Sequence, residues 1–230
     1  MRRRDSLTDR VKTTIQAGRS DRFWQPRDFD GFADPGQVDR VLSRLAKQGE
    51  LRAPRRGLYW RGRSTRFGMS HPTTAALVTA ITGGRGVGPA GLTAANDLGL
   101  TTQVPAVETF AVPHRPPRPI PAVRFVDRSG RSGRRSSHLT HTEVAVLEVL
   151  GDWNRVVEIP DSEALRRLAN LVCEGDVRAD RLVKAAVTEP AAIRERLRGV
   201  LAMAGSPQLA AQVPPARSSG VFGAGSAAVS

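Results

Sequence analysis

Three basic side chains recur at helical spacing in the N-terminal third of the chain. Arg40, Arg44 and Lys47 follow one another at intervals of four and three residues, which places them on one face of a helix. Such groups neutralise phosphates, and an arginine can also grip the edge of a guanine through two hydrogen bonds. Gln37 and Ser43 lie beside them and carry groups that bond to base edges. The pattern points to nucleic-acid recognition.

The helix that positions these groups is well marked in the sequence. Asp34 can cap it, and Pro35 suits its first position because proline has no N–H to lose there. Gly49 ends it. Four apolar residues recur at intervals of three and four and predict the side that packs on a core: Val38, Val41, Leu42 and Leu45. The basic row lies on another side and is free to face a partner.

A basic hairpin is predicted directly after this helix. Residues 50–53 and 58–61 have an extended pattern, and the Pro54–Gly57 segment between them consists of turn residues. Arg55 and Arg56 would place two guanidinium groups at its tip. A capping box at Ser6–Asp9 starts an earlier helix, and Pro26 starts a short second one. Three helices and a basic hairpin predict a winged helix-turn-helix DNA-binding domain over residues 1–66.

The alternative is that the basic row is only the solvated face of an amphipathic helix, which is the commoner meaning of such a pattern. The distribution of charge favours DNA. The chain carries a net charge of +13, and residues 1–66 contribute most of this excess, whereas the chain beyond residue 140 is nearly neutral. Arg2, Arg3 and Arg4 precede the domain and are either an arm along the DNA or a flexible end without contacts.

The second part of the chain predicts a mixed α+β domain over residues 67–204, after a basic linker near residues 61–69. Two strands, near 108–112 and 122–126, flank a proline-rich segment that cannot be helical. A serine- and glycine-rich loop is expected at 129–137. The remaining segments predict helices over 70–82, 89–98, from Thr140, from Asp161, over 177–187 and after Pro190. Residues 205–230 predict a disordered tail.

Signals for catalysis, cofactors and metals are weak. Residues Gly86–Gly91 match a dinucleotide-binding pattern, but no convincing strand precedes them and Pro89 interrupts them, so a plain turn is the better interpretation. His138, His141 and Cys173 lack the spacing of zinc ligands. We therefore predict no catalytic residue, no cofactor and no metal, although an enzyme that uses the winged helix to recognise nucleic acid remains an alternative.

Cellular location follows from two further features. Cys173 is the single cysteine of the chain, so no intrachain disulfide can form. No apolar run approaches the roughly 20 residues that span a bilayer, and no signal-peptide pattern opens the sequence. We expect a cytoplasmic protein that does not bind membranes.

Two stretches, LSRLAKQGELRAPRRGLYW and AGLTAANDLGLTTQVPAVETFAV, resemble the AbiEi-type antitoxins of bacterial type IV toxin-antitoxin systems. The resemblance covers residues Phe23 to about Phe125. It implies an N-terminal domain that represses its own operon and a C-terminal domain that antagonises a nucleotidyltransferase-like toxin. The DNA-binding residues implied are Arg40, Arg44, Lys47, Arg55 and Arg56, and no antitoxic residue can be assigned.

Two expectations about partners follow. The operator should be an inverted repeat bound by two copies, which meet only on DNA because no leucine-zipper pattern is visible. Glu143, Glu148, Glu163 and Glu174 could face a basic surface of the toxin, or could form a solvated helix face. The other reading in the binding class is a regulator whose C-terminal domain responds to an unrelated protein or ligand.

Overall fold

The structure, a computed structural model, describes residues 6–215, and its chain divides into two units between Ala80 and Ile81. We call them the N-terminal and C-terminal units. Both contain helices and strands, so the mixed α+β class predicted from the sequence is confirmed. Arg2, Arg3 and Arg4 lie outside the described residues, as does the end of the predicted tail, 216–230.

The N-terminal unit begins with a helix, a strand and a short 3₁₀ helix, followed by a longer helix and two small hairpins. Its elements are α1 (Leu7–Ala17), β1 (Arg22–Trp24), the 3₁₀ helix (Pro26–Phe29), α2 (Pro35–Lys47), β2 (Arg52–Arg55), β3 (Leu58–Arg61), β4 (Ser64–Thr65) and β5 (Gly68–Met69). Helix α3 (Thr74–Thr82) crosses the boundary between the units. The predicted helices α1 and α3 are confirmed, and each begins and ends within a few residues of its predicted bounds.

Strands β1, β3 and β2 form an antiparallel sheet in that order. The register pairs Phe23 with Trp60 and Trp24 with Tyr59. The core combines this sheet with α1 and α2, and all four residues of the predicted apolar stripe of α2 are buried in it. Val11 and Ile15 of α1 are buried there as well. The stripe prediction is therefore confirmed.

Three details of this unit differ from the prediction. Pro54 and Arg55 belong to β2, so the turn consists only of Arg56 and Gly57, and Gly57 has a positive φ of 73°. Proline is tolerated in β2 because it is an edge strand. Strand β1 was not predicted. The expected linker at 61–69 contains the β4–β5 hairpin, and Trp60 Nε1 donates a 2.9 Å hydrogen bond to the Ser70 carbonyl.

The C-terminal unit consists of a small sheet and a set of packed helices. Its elements are β6 (Gly88–Pro89), α4 (Gly91–Asp97), β7 (Glu108–Val112), β8 (Val123–Asp127), α5 (Gly133–Ser136), α6 (His141–Val156), α7 (Asp161–Cys173), α8 (Ala179–Ala186), α9 (Ala191–Met203) and α10 (Pro207–Gln212). The sheet has the order β6-β7-β8. Strands β7 and β8 are parallel, and the proline-rich segment connects them.

Helix α6 is the centre of the C-terminal core. Ten of its residues are buried, and its backbone departs from helical geometry at Asp152. The helix begins at Thr140 as predicted, and a capping box is present there, since Thr140 and Glu143 bond reciprocally to each other's backbone N–H. Helix α7 begins at Asp161 as predicted. Pro160 occupies the cap position, and Asp161 accepts a 3.0 Å hydrogen bond from Trp153 Nε1.

Two segments expected to be irregular are helical. Helix α5 lies inside the predicted loop 129–137, and its Arg134 is fully buried. Helix α10 lies inside the predicted tail, where Ala210 and Val213 join the apolar core and Arg198 donates a 2.9 Å hydrogen bond to the Val213 carbonyl. Packing against α9, rather than local sequence preference, orders this segment.

Candidate nucleic-acid interface

The basic face of α2 is accessible to a partner. Gln37, Arg40 and Lys47 are exposed, and Ser43 is half-buried. Within residues 6–215, the charged groups of Arg40 and Lys47 make no hydrogen bond or ion pair with another side chain or carbonyl. Both side chains are therefore available to bind an anion.

Arg44 differs from its neighbours on this face. Its side chain is exposed, but Nη2 donates a 2.8 Å hydrogen bond to the hydroxyl of Thr8 at the start of α1. The hydroxyl is neutral and the bond lies at the surface, so an incoming phosphate or guanine would be a stronger acceptor. Arg44 remains a candidate contact, and it would release Thr8 when it binds DNA.

The β2–β3 hairpin is joined to α2 through Tyr59. Its hydroxyl donates a 2.8 Å hydrogen bond to Asp39 Oδ1. Burial and the bond to the Asp39 carboxylate raise the pKa of Tyr59 to about 12, while the nearby charge of Arg56 acts in the opposite direction. Tyr59 therefore stays protonated at neutral pH and keeps donating. This bond holds the hairpin at a defined position relative to α2.

The two arginines of the hairpin tip are both reachable from solvent. Arg56 is exposed in the turn, and Arg55 is half-buried at the end of β2. Neither guanidinium has a hydrogen bond or ion pair within the described part of the chain. Arg56 lies three residues before Tyr59, which bonds to Asp39 on α2, so the tip lies near the helix. The structure thus brings Arg56 and α2 into one neighbourhood.

Other basic residues of the N-terminal unit have structural roles. Arg61 Nη1 donates to the carbonyl of Gly18 at 2.6 Å and to those of Ile15 and Gln16, so it satisfies the end of α1. Lys12 pairs with Glu50 at 2.6 Å. Arg52 donates two hydrogen bonds, of 3.1 and 2.7 Å, to the Met69 carbonyl. These contacts hold together the elements that carry the basic face.

A cleft of about 850 Å³ adjoins this face. It lies beside the C-terminal half of α2, strand β2 and the chain after β5. Its walls are mainly apolar, with Ser43, Lys47, Arg52 and His71 as the polar residues. Because Ser43 and Lys47 belong to both, the cleft borders the candidate interface.

In the C-terminal unit, the expectation that Glu143 and Glu148 face a partner is wrong. Both carboxylates are buried. Glu143 accepts hydrogen bonds from the backbone N–H of Thr140 at 2.7 Å and of Arg178 at 3.1 Å. Glu163 is ion-paired with Arg167 at 2.8 Å. Glu143 therefore serves the fold by satisfying backbone N–H groups at the start of α6 and before α8, whereas Glu163 lies in an ion pair at the surface.

Glu148 and Glu189 form ion pairs with three arginines. Arg134 is fully buried and reaches Glu148 at 2.6 Å and Glu189 at 2.6 Å. Arg128 grips both oxygens of Glu148 at 2.9 Å, and Arg131 lies 3.1 Å from Glu148. Burial alone would raise the pKa of Glu148, but the hydrogen bond from Arg128 and the charge of Arg134 outweigh burial and lower this pKa. Glu148 therefore stays ionised at neutral pH.

The glycines that match a dinucleotide-binding pattern are explained by packing. A Cβ at Gly86 would lie 2.7 Å from the backbone of Arg134, and one at Gly88 would lie 2.6 Å from the His141 carbonyl. Gly86 also has a positive φ of 68°. The turn before α4 therefore needs glycine to approach α5 and α6 closely, as expected of a plain turn.

Neither a metal cluster nor a membrane span is found within residues 6–215. No three His, Cys, Asp or Glu side chains in this range are grouped so that they could bind a metal ion. None of the helices in it is both long enough and apolar enough to traverse a bilayer.

Comparisons with known proteins give a family match over part of the chain. Residues 10–113 are similar to a family described as "Family of unknown function (DUF6088)". Among solved structures, the chain is similar to the "Crystal structure of RV2827C protein from Mycobacterium tuberculosis", with a TM-score of 0.47 and 18% sequence identity, over 93% of this chain and 82% of that chain. No curated protein matches. The matched family covers both the candidate interface and the first elements of the C-terminal unit.

Proposed function

We propose that the N-terminal unit is a winged helix-turn-helix that binds double-stranded DNA, with α2 in the major groove and the β2–β3 hairpin on the adjacent backbone. The order of its elements supports this proposal: a helix, a strand, a short helix, the long helix α2 and then a hairpin. Strand β3 lies between β1 and β2, which joins the hairpin to the body of the unit. Helix α2 turns its apolar stripe inward, so its basic face is left for DNA.

The observation that carries the proposal is the set of unpartnered cations on α2 and the hairpin tip. Arg40, Lys47 and Arg56 have no internal ion pair within residues 6–215, whereas Lys12 and Arg61 of the same unit are engaged with their own chain. The hydrogen bond between Tyr59 and Asp39 also holds the basic hairpin beside this face of α2. A helix face that is only solvated gives no reason for such an arrangement. Phosphate contacts by such groups supply much of the affinity of DNA-binding proteins.

We expect the operator to be an inverted repeat upstream of the protein's own gene, occupied by two copies. One small module buries limited surface on DNA, and paired half-sites about one helical turn apart raise both affinity and specificity. Binding there would make the protein a repressor of its own operon.

Hydroxyl-radical footprinting of this upstream DNA tests the proposal. Two protected half-sites, related by a dyad and centred about one helical turn apart, are the expected result. A scrambled duplex of the same composition is the control, and it should give only weak protection that disappears with added salt. Protection of a single asymmetric site would contradict pairing, and no protection of any duplex would contradict DNA binding.

The C-terminal unit is proposed to antagonise a nucleotidyltransferase-like toxin, as the resemblance of the sequence implies. The separate apolar core of this unit supports a task of its own, since it is built without residues of the N-terminal core. The test uses a full-length variant in which Arg40, Arg44, Arg55 and Arg56 are replaced by alanine. When it is co-expressed with the product of the neighbouring gene, the expected toxin, it should still restore the growth of the cells. If rescue requires these arginines, antagonism is transcriptional and the C-terminal unit has another role.

A further inference from the structure

A second basic surface lies in the C-terminal unit, at a cleft of about 510 Å³ beside β8. Arg124 and Val126 alternate along this strand and therefore project to one side of the sheet, and Arg128 directly follows the last residue of the strand. The opposite wall comes from the start of α4 and the end of α6, which contributes Asp152 and Arg155. Three guanidinium groups thus line one opening that contains a single carboxylate.

Two of these arginines are available to a ligand. Arg124 is exposed and has no hydrogen bond or ion pair in the described part of the chain. The side chain of Arg155 is 84% exposed, and its nearest acid is Asp152 at 4.0 Å. A pair at this distance on the surface contributes little and is readily exchanged for a stronger anion.

Arg128 is the fixed member of the set. Its Nε and Nη2 donate to the two oxygens of Glu148, both at 2.9 Å, whereas Nη1 makes only a 3.4 Å contact with the Asp127 carbonyl. The two hydrogen bonds to Glu148 hold the Arg128 guanidinium in place, and the N–H groups of Nη1 remain able to donate to a ligand. A ligand would meet a guanidinium that is already oriented.

The buried cluster behind Arg128 carries an excess of positive charge. Among residues 6–215, the carboxylates that pair with Arg128, Arg131 and Arg134 are Glu148 and Glu189. Burial, followed by the like charge of Arg134, lowers the pKa of Arg131. A smaller opening of about 100 Å³ also includes Arg128, Arg131 and Asp152, so it adjoins the main cleft. An anion bound at Arg128 would offset this excess.

The floor of the cleft is apolar and the cleft is of ligand size. Leu92, Val126 and Val156 line it, and Thr93 and Thr109 supply hydroxyl groups. Its volume falls within the roughly 300–1,000 Å³ typical of small-molecule sites. An organic group could pack on the apolar floor while its charged end meets the arginines.

We propose that this cleft binds a small phosphate monoester, with Arg124, Arg128 and Arg155 on the phosphate and the organic part on Leu92, Val126 and Val156. Three guanidinium groups offer more donors than one carboxylate can accept, whereas a phosphate monoester presents three terminal oxygens with nearly two negative charges. The proposal is independent of DNA binding by the N-terminal unit.

Isothermal titration calorimetry of the full chain with adenosine 5′-monophosphate as probe tests the site, with adenosine as the phosphate-free control. We expect the monophosphate to bind and adenosine not to bind. Replacing both Arg124 and Arg155 with alanine should weaken binding at least about tenfold, because two charge-assisted contacts are lost. The matched control is Arg166→Ala, an exposed arginine of α7 outside the cleft, which should bind as the wild type does.

A second variant separates this site from the basic face of the N-terminal unit. The variant with Arg40 and Arg56 replaced by alanine should bind the monophosphate unchanged. Equal loss in that variant would assign the binding to general polyanion affinity and overturn the proposal. Three further results would overturn the proposal. The first is that adenosine binds as tightly as the monophosphate, and the second is that the Arg124→Ala/Arg155→Ala protein binds the monophosphate like the wild type. The third is that the monophosphate does not bind at about 1 mM, the weak end of the affinity expected for such a site.

Discussion

The hydroxyl of Tyr59 on β3 lies 2.8 Å from Oδ1 of Asp39 on α2, and this hydrogen bond connects the basic hairpin to the helix beside it. Tyr59 is buried, and the bond itself is partly buried. Asp39 is the one acidic residue on α2, and its Oδ1 accepts the bond from Tyr59. The candidate DNA-binding surface is therefore a single arrangement rather than two separate basic elements.

Replacing Tyr59 with phenylalanine should loosen this connection. We expect a loss of about 0.5–1.5 kcal/mol in the free energy of unfolding, as for other buried hydrogen bonds, measured by urea denaturation. DNA affinity should also fall, because the hairpin is less well oriented. Asp39→Asn, which retains an acceptor, is the milder comparison. A Tyr59→Phe protein with wild-type stability and DNA affinity would show that the bond does not organise the surface.

The same bond has a signature at alkaline pH. The pKa of Tyr59 is raised from 10.0 to about 12, so the folded state holds a proton that the unfolded state has released. The stability contributed by this tyrosine is complete below pH 10 and is lost as pH rises from 10 to about 12. The wild type should therefore lose more free energy of unfolding across this range than Tyr59→Phe does. Parallel losses in the two proteins would contradict the raised pKa.

Glu189→Gln should destabilise the C-terminal unit strongly. Arg134 is fully buried, and Glu189 accepts two of its hydrogen bonds, of 2.6 and 3.0 Å. Removing one charge of a buried pair typically costs about 3–5 kcal/mol, because the remaining charge is left uncompensated. Guanidinium denaturation measures the change, and Glu174→Gln, an exposed acid at the end of α7, should alter stability by less than about 0.5 kcal/mol. Equal effects of the two changes would contradict the structural importance of the cluster.

Acid should weaken the fold through Glu148. Its pKa is lowered from 4.5 in the folded state, so its ionised form contributes stability that is present above pH 4.5 and lost as pH falls through the folded pKa. Thermal unfolding of the wild type and of Glu148→Gln between pH 7 and 3 measures this effect. We expect the difference in unfolding temperature between the two proteins to shrink below pH 4.5. A constant difference would contradict the assignment.

Arg44 should read bases rather than only phosphates. Arg44→Ala is expected to cost roughly 1–3 kcal/mol of binding free energy on the operator and much less on a scrambled duplex, because a guanine contact is lost. Thr8→Val is the matched variant, because it removes the 2.8 Å hydrogen bond between Arg44 and the Thr8 hydroxyl and leaves the guanidinium of Arg44 unchanged. That variant should bind DNA at least as well as the wild type. An equal effect of Arg44→Ala on both duplexes would limit Arg44 to a phosphate contact.

Local signals account for the parts of the fold that the sequence predicted. The bounds of α2 follow from Asp34, Pro35 and its apolar stripe, and α6 begins at the capping box of Thr140 and Glu143. These signals depend on residues within one or two turns of one another. The basic face of α2 could be predicted for the same reason.

The rest depends on residues distant in the sequence. Arg134 was expected in a loop, but its acidic partners lie 14 and 55 positions further along the chain. Strand β1 has three residues and exists because it pairs with β3. Likewise, nothing local shows that Arg44 reaches Thr8 or that Glu143 is buried. Pairing, burial and charge balance of this kind are set by tertiary packing.

Fluorescence anisotropy of a labelled operator duplex across a range of salt concentrations tests DNA binding by the N-terminal unit most directly. The variant with Arg40, Arg44, Arg55 and Arg56 replaced by alanine should lose most of its affinity, and the slope of log affinity against log salt should fall by about one unit for each phosphate contact removed. The control removes the same charge from exposed arginines of the C-terminal unit by alanine substitution at Arg115, Arg118, Arg135 and Arg166. It should keep nearly wild-type affinity. Equal losses in the two proteins, or unchanged binding by the first, would contradict a DNA-binding surface on α2 and the hairpin.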